Sequence, residues 1–405
     1  MSTMKGIWGL LIGFLAFIAC SCKPEETHYQ PTPYDLAQPS YFPSKNNIPA
    51  DNPMTEEGVA LGRKLFYDPR LSGRDGTDGI RSCASCHHQE NNFEFGSPTN
   101  THHAMLPLVN LAWNRTGLGW NGGVATLEDM VLAAVTSPVE IHSDTNQVAK
   151  YLQKTNDYPE LFEKAFGSND ITFVNVERAI AQFVRSLVSA NSKFDRYLLG
   201  KEELTEDEMA GYELFCTEDG ADCFHCHGGG GLALMTTNLF YNNGLDDEFN
   251  DPQDRSAITG SHWDRGAYKA PTLRNIAVSA PYMHDGRFTT LDEVINFYSE
   301  GVKDSENINP LMHHVMEGGV QLTDLEKAQL KAFLNTLTDE EFLSNPNFTK
   351  PTKQCKTSTL NGCSSATASP PESSRLACFP YLNYSFVGFV SFVTKKRQYV
   401  IPLGR

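Results

Sequence analysis

Polar and apolar residues recur with a helical period along most of the chain. Behind Thr55, two glutamates precede apolar residues that return on one face of a helix, ending with Leu65 and Phe66. Threonine is a favourable N-cap, and acidic residues in the first turn complement the helix dipole. This pattern predicts an amphipathic helix that begins at Thr55 and ends before Asp68 and Pro69.

The same period predicts further helices. One starts at residues 126–129 and continues through Met130, Val131 and Ala134, and another covers about residues 176–199. Residues 23–53 precede these helices. Most of this segment is rich in Pro, Asn and Ser and shows no hydrophobic periodicity, so it is predicted to form a tether.

The second half of the chain repeats the first. Thr205 and its two following acids precede Leu214 and Phe215 as Thr55 precedes Leu65 and Phe66. The segment Trp120-Asn-Gly-x-x-x-Thr-Leu-Glu likewise matches His284-Asp-Gly-x-x-x-Thr-Leu-Asp. Self-similarity of this kind predicts a mainly α fold with two tandem domains, residues 54–198 and 199–343, related by internal duplication.

Each predicted domain carries one C-x-x-C-H motif. Two thiols three positions apart add to the vinyl groups of one porphyrin, and the next histidine becomes the proximal iron ligand. A zinc site would need further Cys/His pairs, and a redox dithiol would need a thioredoxin-like βαβ context; the sequence offers neither. The motifs therefore predict two covalently bound haem c groups in cytochrome c-like domains. Their residues are Cys83, Cys86 and His87 in the first motif and Cys223, Cys226 and His227 in the second.

Charge separates the body of the chain from its end. The formal net charge is −16, and residues 344–405 contribute eight Lys/Arg and one Glu, which leaves −23 on the first 343 residues. An acidic body argues against nucleic-acid binding and favours a basic electron-donor protein as partner. Residues 344–405 are rich in Ser, Thr and Pro before an aromatic run, and we expect this atypical tail to lie outside the fold.

The first 22 residues are typical of a lipoprotein signal peptide. Lys5 precedes an apolar run that is too short to span a membrane, and Ser21 stands before Cys22. We expect export to the periplasm or cell envelope with a lipid on Cys22 as the only membrane attachment. Lipidation at Cys20 and simple cleavage are the alternatives. Export agrees with haem c, which is attached outside the cytoplasm.

Further motifs make the chain similar to a known family. From residue 62 to about residue 343 it resembles the bacterial dihaem cytochrome c peroxidases, which include the MauG-like enzymes. Both C-x-x-C-H motifs take part in this resemblance. The other matching segments are Leu65-Phe-Tyr-Asp-Pro-Arg-Leu-Ser, Trp120-Asn-Gly, Pro138-Val-Glu, Pro271-Thr-Leu-Arg-Asn and Pro281-Tyr-Met-His-Asp-Gly.

The resemblance implies different roles for the two haems. The first is the peroxide site, and the second receives electrons. Glu140 stands twenty residues after Trp120, where the family keeps its distal acid, and Trp120 stands where the family has an indole between the haems. Without the resemblance, Glu140 could equally be a surface residue and Trp120 a core residue.

Distal iron ligands also follow from the resemblance. His103 lies sixteen residues after His87, where some members have a removable sixth ligand; a solvated loop histidine is the alternative. Tyr298 lies fourteen residues after His284, at the position of the second haem's distal ligand. Most peroxidases have Met there, whereas MauG-like members have Tyr. Rival ligands in this sequence are Met283, Met312 and Met316.

The implied activity is reduction of hydrogen peroxide to water with electrons from a small exported cytochrome or a similar donor. Two alternatives stay open: a MauG-like oxidase that uses a high-valent dihaem state to oxidise a protein side chain, and a dihaem electron carrier without chemistry. The family's calcium would use carbonyls near Ser279 and Pro281. Its Asn ligand has no clear counterpart beyond Asn100, so the sequence leaves calcium open, and it also allows a homodimer.

Overall fold

The computed structural model describes residues 29–74, 79–94, 103–228 and 232–351. The signal peptide with Cys20 and Cys22 and most of the tail therefore lie outside the described residues. None of the helices in the described ranges is long and apolar enough to cross a membrane. These ranges contain twelve α-helices, which confirms a mainly α fold. The helices are α1 Glu56–Phe66, α2 Leu127–Thr136, α3 Thr145–Gln153, α4 Tyr158–Phe166, α5 Phe173–Ser186, α6 Lys193–Leu198, α7 Glu206–Cys216, α8 Phe224–His227, α9 Ser256–Thr259, α10 Leu291–Glu300, α11 Asp324–Asn335 and α12 Glu340–Ser344.

Threonine caps explain where the main helices begin. The Thr55 side chain accepts a hydrogen bond from the Gly58 amide at the start of α1, and Thr126 does the same for the Asp129 amide at the start of α2. Thr205 and Thr290 cap α7 and α10, each in a capping box. The helix starts predicted at Thr55 and Thr126 are therefore confirmed, whereas the helix predicted from about residue 176 begins three residues earlier, at Phe173. The strands in the described ranges form one antiparallel pair, β1 Phe240–Tyr241 and β2 Tyr268–Lys269.

Two helix pairs form the centres of two hydrophobic cores. Helix α1 packs against α5 in the first core, and α7 packs against α11 in the second. Glycine permits the close approach in both pairs. A Cβ on Gly62 would lie 1.9 Å from the Ala179 carbonyl oxygen, and one on Gly211 would lie 1.9 Å from that of Gln329. Any larger residue at either position would force the helices apart.

The helix predicted over about residues 176–199 is in fact two helices. Helix α5 ends at Ser186, and α6 starts only at Lys193. Between them, the amides of Ala190 and Asn191 donate to the Asp339 carboxylate, each at 2.9 Å. Distant side chains thus satisfy backbone groups that a continuous helix would bond internally. Ser192 then caps the new helix.

Packing crosses the boundaries expected at residues 198 and 343. Phe194 of α6 is buried in the second core, whereas Phe342 and Phe348 are buried in the first. Phe348 is thus part of the fold, and the start of the tail expected at residue 344 is corrected to a position after Phe348. Its backbone also binds the first core, because the Tyr67 hydroxyl donates to the Phe348 carbonyl at 2.8 Å.

Candidate active site

The first haem motif lies in a tight turn at the edge of the first core. Cys83 opens a short 3-10 helix, and the His87 amide donates to the Cys83 carbonyl. The Nδ1 atom of His87 is 2.6 Å from the Phe93 carbonyl oxygen, which can only accept. This bond fixes the proton on Nδ1 and leaves Nε2 as the ligand atom. Burial lowers the pKa of His87 to about 4, so the ring is neutral, as ligation requires.

Glu140 lies beside this motif, on the turn that follows α2. Arg81, which precedes the motif, donates to the carbonyls of Val139 and Glu140 at 2.9 and 3.2 Å and so joins the two segments. Burial, and to a smaller extent the charge of Glu140, raises the pKa of the Cys83 thiol to about 12. Burial also raises the pKa of Glu140 itself, and a hydrogen bond with Ser137 offsets this only in part. The structure thus brings a half-buried carboxyl group close to the first motif.

The second motif forms the short helix α8, directly after Cys223. The Nδ1 atom of His227 is 3.1 Å from the Pro271 carbonyl oxygen, so Nε2 is again the atom left for a ligand. Burial lowers the pKa of His227 to about 4. Cys223, Cys226 and His227 line a mostly apolar cavity of about 210 Å³. Pro271 belongs to the Pro-Thr-Leu-Arg-Asn segment, so one role of that segment is to orient the His227 ring through the Pro271 carbonyl.

Tyr298 lines the same cavity from helix α10. Its hydroxyl oxygen accepts a hydrogen bond of 2.8 Å from Asn243 Nδ2, which also lies 3.9 Å from the sulfur of Met283. Met283 and Met312 line the cavity as well and stay rivals of Tyr298. Met316 does not line it and is 79% exposed, which removes this residue from the candidate ligands.

Trp120 belongs to the first half of the chain but lines the cavity of the second haem motif. Its indole nitrogen donates to the Ala104 carbonyl at 2.8 Å, and its ring lies edge-on to His284 with centroids 6.4 Å apart. His284 in turn stacks on Tyr268, with centroids 3.7 Å apart. The indole is therefore held rigidly by polar and aromatic contacts where the two halves meet.

His103 has a different environment from the one the resemblance implies. Its Nε2 atom lies 2.5 Å from Asp251 Oδ2, and the same carboxylate oxygen accepts from the Tyr268 hydroxyl at 2.7 Å. In this arrangement the Nε2 atom of His103 faces the second half of the chain. Ligation of the first iron would require His103 to leave Asp251, so it stays a prediction.

Both motifs fit haem c. In each, the two thiols precede a neutral histidine whose Nδ1 atom lies at hydrogen-bond distance from a backbone carbonyl, which leaves Nε2 as the candidate ligand atom. Aromatic and aliphatic side chains surround each motif. The donor set and the apolar surroundings are those that haem ligation uses.

Two polar groups near the sites are not apparent from local sequence, and one thiol that the sequence shows has no assigned role. Asn243 meets Tyr298 only through the fold. Glu94 is buried beside Ser279, and its pKa is raised well above the usual range by burial. This carboxyl group stands near a carbonyl considered for calcium, whereas Asn100 lies outside the described residues. Cys216 is a half-buried thiol that packs on the second core, and burial raises its pKa to about 11.

Comparisons with known proteins agree with this geometry. Residues 56–203 match the family model for di-haem cytochrome c peroxidase. The chain is 33% identical to the methylamine utilization protein MauG of Methylorubrum extorquens, over 72% of this chain and 81% of the relative. It is 31% identical to the cytochrome c551 peroxidase of Nitrosomonas europaea, over 75% and 85% of the two chains.

Solved structures give the same result. A MauG-like protein associated with microbial copper homeostasis superposes with a TM-score of 0.70 at 36% identity, covering 78% of this chain and 99% of that one. The diheme peroxidase BthA from Burkholderia thailandensis, at 20% identity and a TM-score of 0.61, shares the fold. The resemblance drawn from the motifs is thereby confirmed, and with it the two covalent haem c groups. The chain belongs to the di-haem cytochrome c peroxidase family, which includes MauG.

Proposed function

We propose that the protein reduces hydrogen peroxide to water with two electrons from a small exported cytochrome or a similar donor. The observation that carries the proposal is the half-buried Glu140 carboxyl group beside Cys83 and Cys86. An electron carrier has no use for an acid/base group at its haem. The cytochrome c551 peroxidase relative supports the same chemistry.

Glu140 has a defined part in this reaction. When bound, the first haem supplies the iron at which peroxide is reduced, and the second haem supplies the route for electrons. The Glu140 carboxylate takes a proton from the near oxygen of peroxide and returns it to the far oxygen, which then leaves as water. Water is a far better leaving group than hydroxide. Two electrons and two protons complete the conversion of one peroxide into two waters.

A steady-state assay tests the proposal. The haem-loaded protein is mixed with reduced horse cytochrome c and hydrogen peroxide, and oxidation of the cytochrome is followed optically. We expect two cytochromes oxidised for each peroxide consumed. Because the body is acidic, the rate should fall as ionic strength rises. The proposal would be overturned if the protein failed to consume peroxide with every electron donor tested, whether a basic protein, an acidic protein or a small molecule.

Tyr298 favours a second candidate function, MauG-like oxidation of a protein side chain. A phenolate is a hard, anionic ligand that favours oxidised iron and lowers the potential of the second haem relative to Met. Burial raises the pKa of the Tyr298 phenol, whereas the hydrogen bond from Asn243 favours the anion. The MauG relative of Methylorubrum extorquens supports this alternative.

Substitution of Tyr298 separates the two functions. In Tyr298→Met we expect the spectrum of the second ferric haem to change and cytochrome c peroxidase turnover to rise several-fold, because the higher potential eases electron transfer into that haem. Met283→Leu is the matched control from the same cavity, and its spectrum should match that of the wild type. An unchanged spectrum in Tyr298→Met would exclude Tyr298 as the ligand, and a changed spectrum in Met283→Leu would point to Met283 instead.

We also propose that the two haem regions arose by duplication of one domain. Support comes from paired local features. Asn110 and Asn275 both adopt left-handed backbone conformations before a 3-10 turn, at φ 56° and 60°. The bridge from Leu118 to Val124 corresponds to that from Tyr282 to Phe288. An experimental structure of the haem-loaded protein tests this, since the two halves should superpose with their haems; haems that fail to coincide would refute duplication.

A further inference from the structure

Two histidines and an aspartate outside the haem ligand set converge on one point. Asp222 Oδ1 is 2.6 Å from His225 Nδ1, and Asp222 Oδ2 is 3.3 Å from His313 Nδ1. One ligand atom from each residue lies within 4.8 Å of the other two. His225 is the residue between Phe224 and Cys226 in the second motif, whereas His313 comes from a loop far along the chain. From this juxtaposition we propose that Asp222, His225 and His313 bind a divalent transition-metal ion beside the second haem.

The chemistry of the donors selects the class of ion. Imidazole nitrogen suits Zn²⁺ and Cu²⁺, whereas Ca²⁺ and Mg²⁺ prefer all-oxygen sites. Two nitrogens and one carboxylate oxygen leave a coordination position for water, as in open zinc sites. Cu²⁺ should bind more tightly than Zn²⁺, because affinity for such ligands rises to copper along the first transition row.

The surroundings of His225 support a ligand role for its Nδ1 atom. The other ring nitrogen, Nε2, faces Glu218 at 3.6 Å. A carboxylate on the far nitrogen of a histidine holds the proton there and orients the ring, which is the usual outer arrangement at metal sites. A metal ion on Nδ1 requires the His225 proton to be on Nε2, which faces Glu218.

The geometry requires only a small adjustment. Ligand atoms about 2.1 Å from a tetrahedral ion lie about 3.4 Å from one another. The contact from Asp222 Oδ2 to His313 Nδ1 already has about this length at 3.3 Å, whereas the contact from Asp222 Oδ1 to His225 Nδ1, at 2.6 Å, must open. The three ligand atoms already lie within 4.8 Å of one another. The Asp222 side chain is 7% exposed and that of His313 is 39% exposed, so an ion can reach the site from solvent.

An ion at this site would act on the second haem. Asp222 and His313 line the same cavity as Cys223, Cys226 and His227. A nearby cation stabilises the reduced, less positive form of an iron centre, since like charges repel strongly where water is scarce. The ion should therefore raise the reduction potential of the second haem. Metal availability would then control electron transfer into that haem.

The test uses the full haem-loaded protein, in which both cysteine pairs are blocked as thioethers. The protein carries no polyhistidine tag, because such a tag would itself bind the metal ions. After EDTA treatment and desalting, Zn²⁺ binding is measured by calorimetry and Cu²⁺ binding by electron paramagnetic resonance. We expect one ion to bind per chain and the Cu²⁺ resonance to show hyperfine splitting from two nitrogen ligands. Addition of Zn²⁺ should raise the reduction potential of the second haem. In His313→Gln and Asp222→Asn, affinity should fall by about tenfold or more.

His262→Gln is the matched control. His262 also has a carboxylate partner, Glu306 at 2.8 Å, but this pair includes only one histidine. The affinity of this variant should equal that of the wild type. His225→Gln is a further variant, but His225 lies inside the second haem motif. If His225→Gln fails to attach haem, Asp222→Asn and His313→Gln still test the metal site. Absence of stoichiometric binding, or equal affinity in His313→Gln, Asp222→Asn and the wild type, would overturn the proposal and leave Asp222 as a hydrogen-bond acceptor only.

Discussion

Glu140→Gln is expected to lower peroxide turnover by about 10²–10⁴-fold, the range that one general acid/base group contributes. Glutamine has nearly the shape of glutamate but cannot carry the proton between the two peroxide oxygens. The segment should keep its place, because Arg81 holds it through backbone carbonyls and not through the carboxylate. Haem content and the spectra of both ferric haems should therefore match those of the wild type.

Glu177→Gln is the matched control for this experiment. Glu177 is also a partly buried glutamate of the first half, and burial together with the charges of Asp129 and Glu128 raises its pKa. Its charged neighbours are those carboxylates and Arg178, not the haem cysteines, so turnover should be unchanged. Full activity in Glu140→Gln would remove this residue from the mechanism, and a carrier without chemistry would be indifferent to both changes.

The pH profile provides a second readout of the same group. The reaction needs the Glu140 carboxylate, and burial raises the pKa at which this carboxylate takes up a proton. As pH falls, wild-type activity should therefore decline at a higher pH than an ordinary glutamate, near 4.5, would give. This acidic limb in kcat/KM for peroxide should be absent from the residual activity of Glu140→Gln.

Local chemistry made the haem sites and the helix starts predictable. A C-x-x-C-H motif contains its thiols and its ligand within five residues, and a threonine cap acts within one helical turn. Contacts between distant segments have no such signal. Asn243 meets Tyr298 across 55 positions, and His313 meets Asp222 across 91, so neither partner could be inferred from spacing.

The interruption between α5 and α6 shows the same limit. The apolar stripe through Leu187 continues the helical period, and nothing near it in sequence marks a stop. Asp339 provides the stop from more than a hundred residues away by accepting the amides of Ala190 and Asn191. Phe348 was misjudged for a related reason, since a single aromatic residue in polar surroundings gives no periodic pattern, yet the first core buries it.

Asp195→Asn is expected to lower the free energy of unfolding by about 3–5 kcal/mol, the usual cost of removing one partner of a buried ion pair. Asp195 is fully buried, and its two oxygens accept from both terminal nitrogens of Arg274, each at 2.8 Å. The same carboxylate accepts from the Ser192 amide and hydroxyl at the start of α6. Asparagine would leave the Arg274 guanidinium buried without a counter-charge.

Urea denaturation of the haem-loaded protein at pH 7 measures the loss. Glu202→Gln is the control, because Glu202 pairs with Arg196 at 2.5 Å on the surface, where such pairs contribute about 0–1 kcal/mol. Equal midpoints for Asp195→Asn and Glu202→Gln would show that the buried pair adds no more than the exposed one. An unchanged slope against urea would confirm that the loss is one of stability and not of compactness.

The dependence on pH distinguishes the ion pair from simple packing. Burial alone would raise the pKa of Asp195, but the hydrogen bonds from Arg274 hold it below its ordinary value. A carboxyl group with a depressed pKa in the folded state stabilises the fold above its unfolded pKa of about 3.9, and this stabilisation is lost as pH falls through the folded value. The difference in unfolding free energy between wild type and Asp195→Asn should therefore be full at pH 7, begin to narrow at about pH 3.9, and close as pH falls through the lower folded pKa of Asp195. Arg274 lies three residues after Pro271, whose carbonyl orients His227. Loosening this segment should therefore also disturb the second haem's proximal ligand, which its ferric spectrum would reveal before global unfolding.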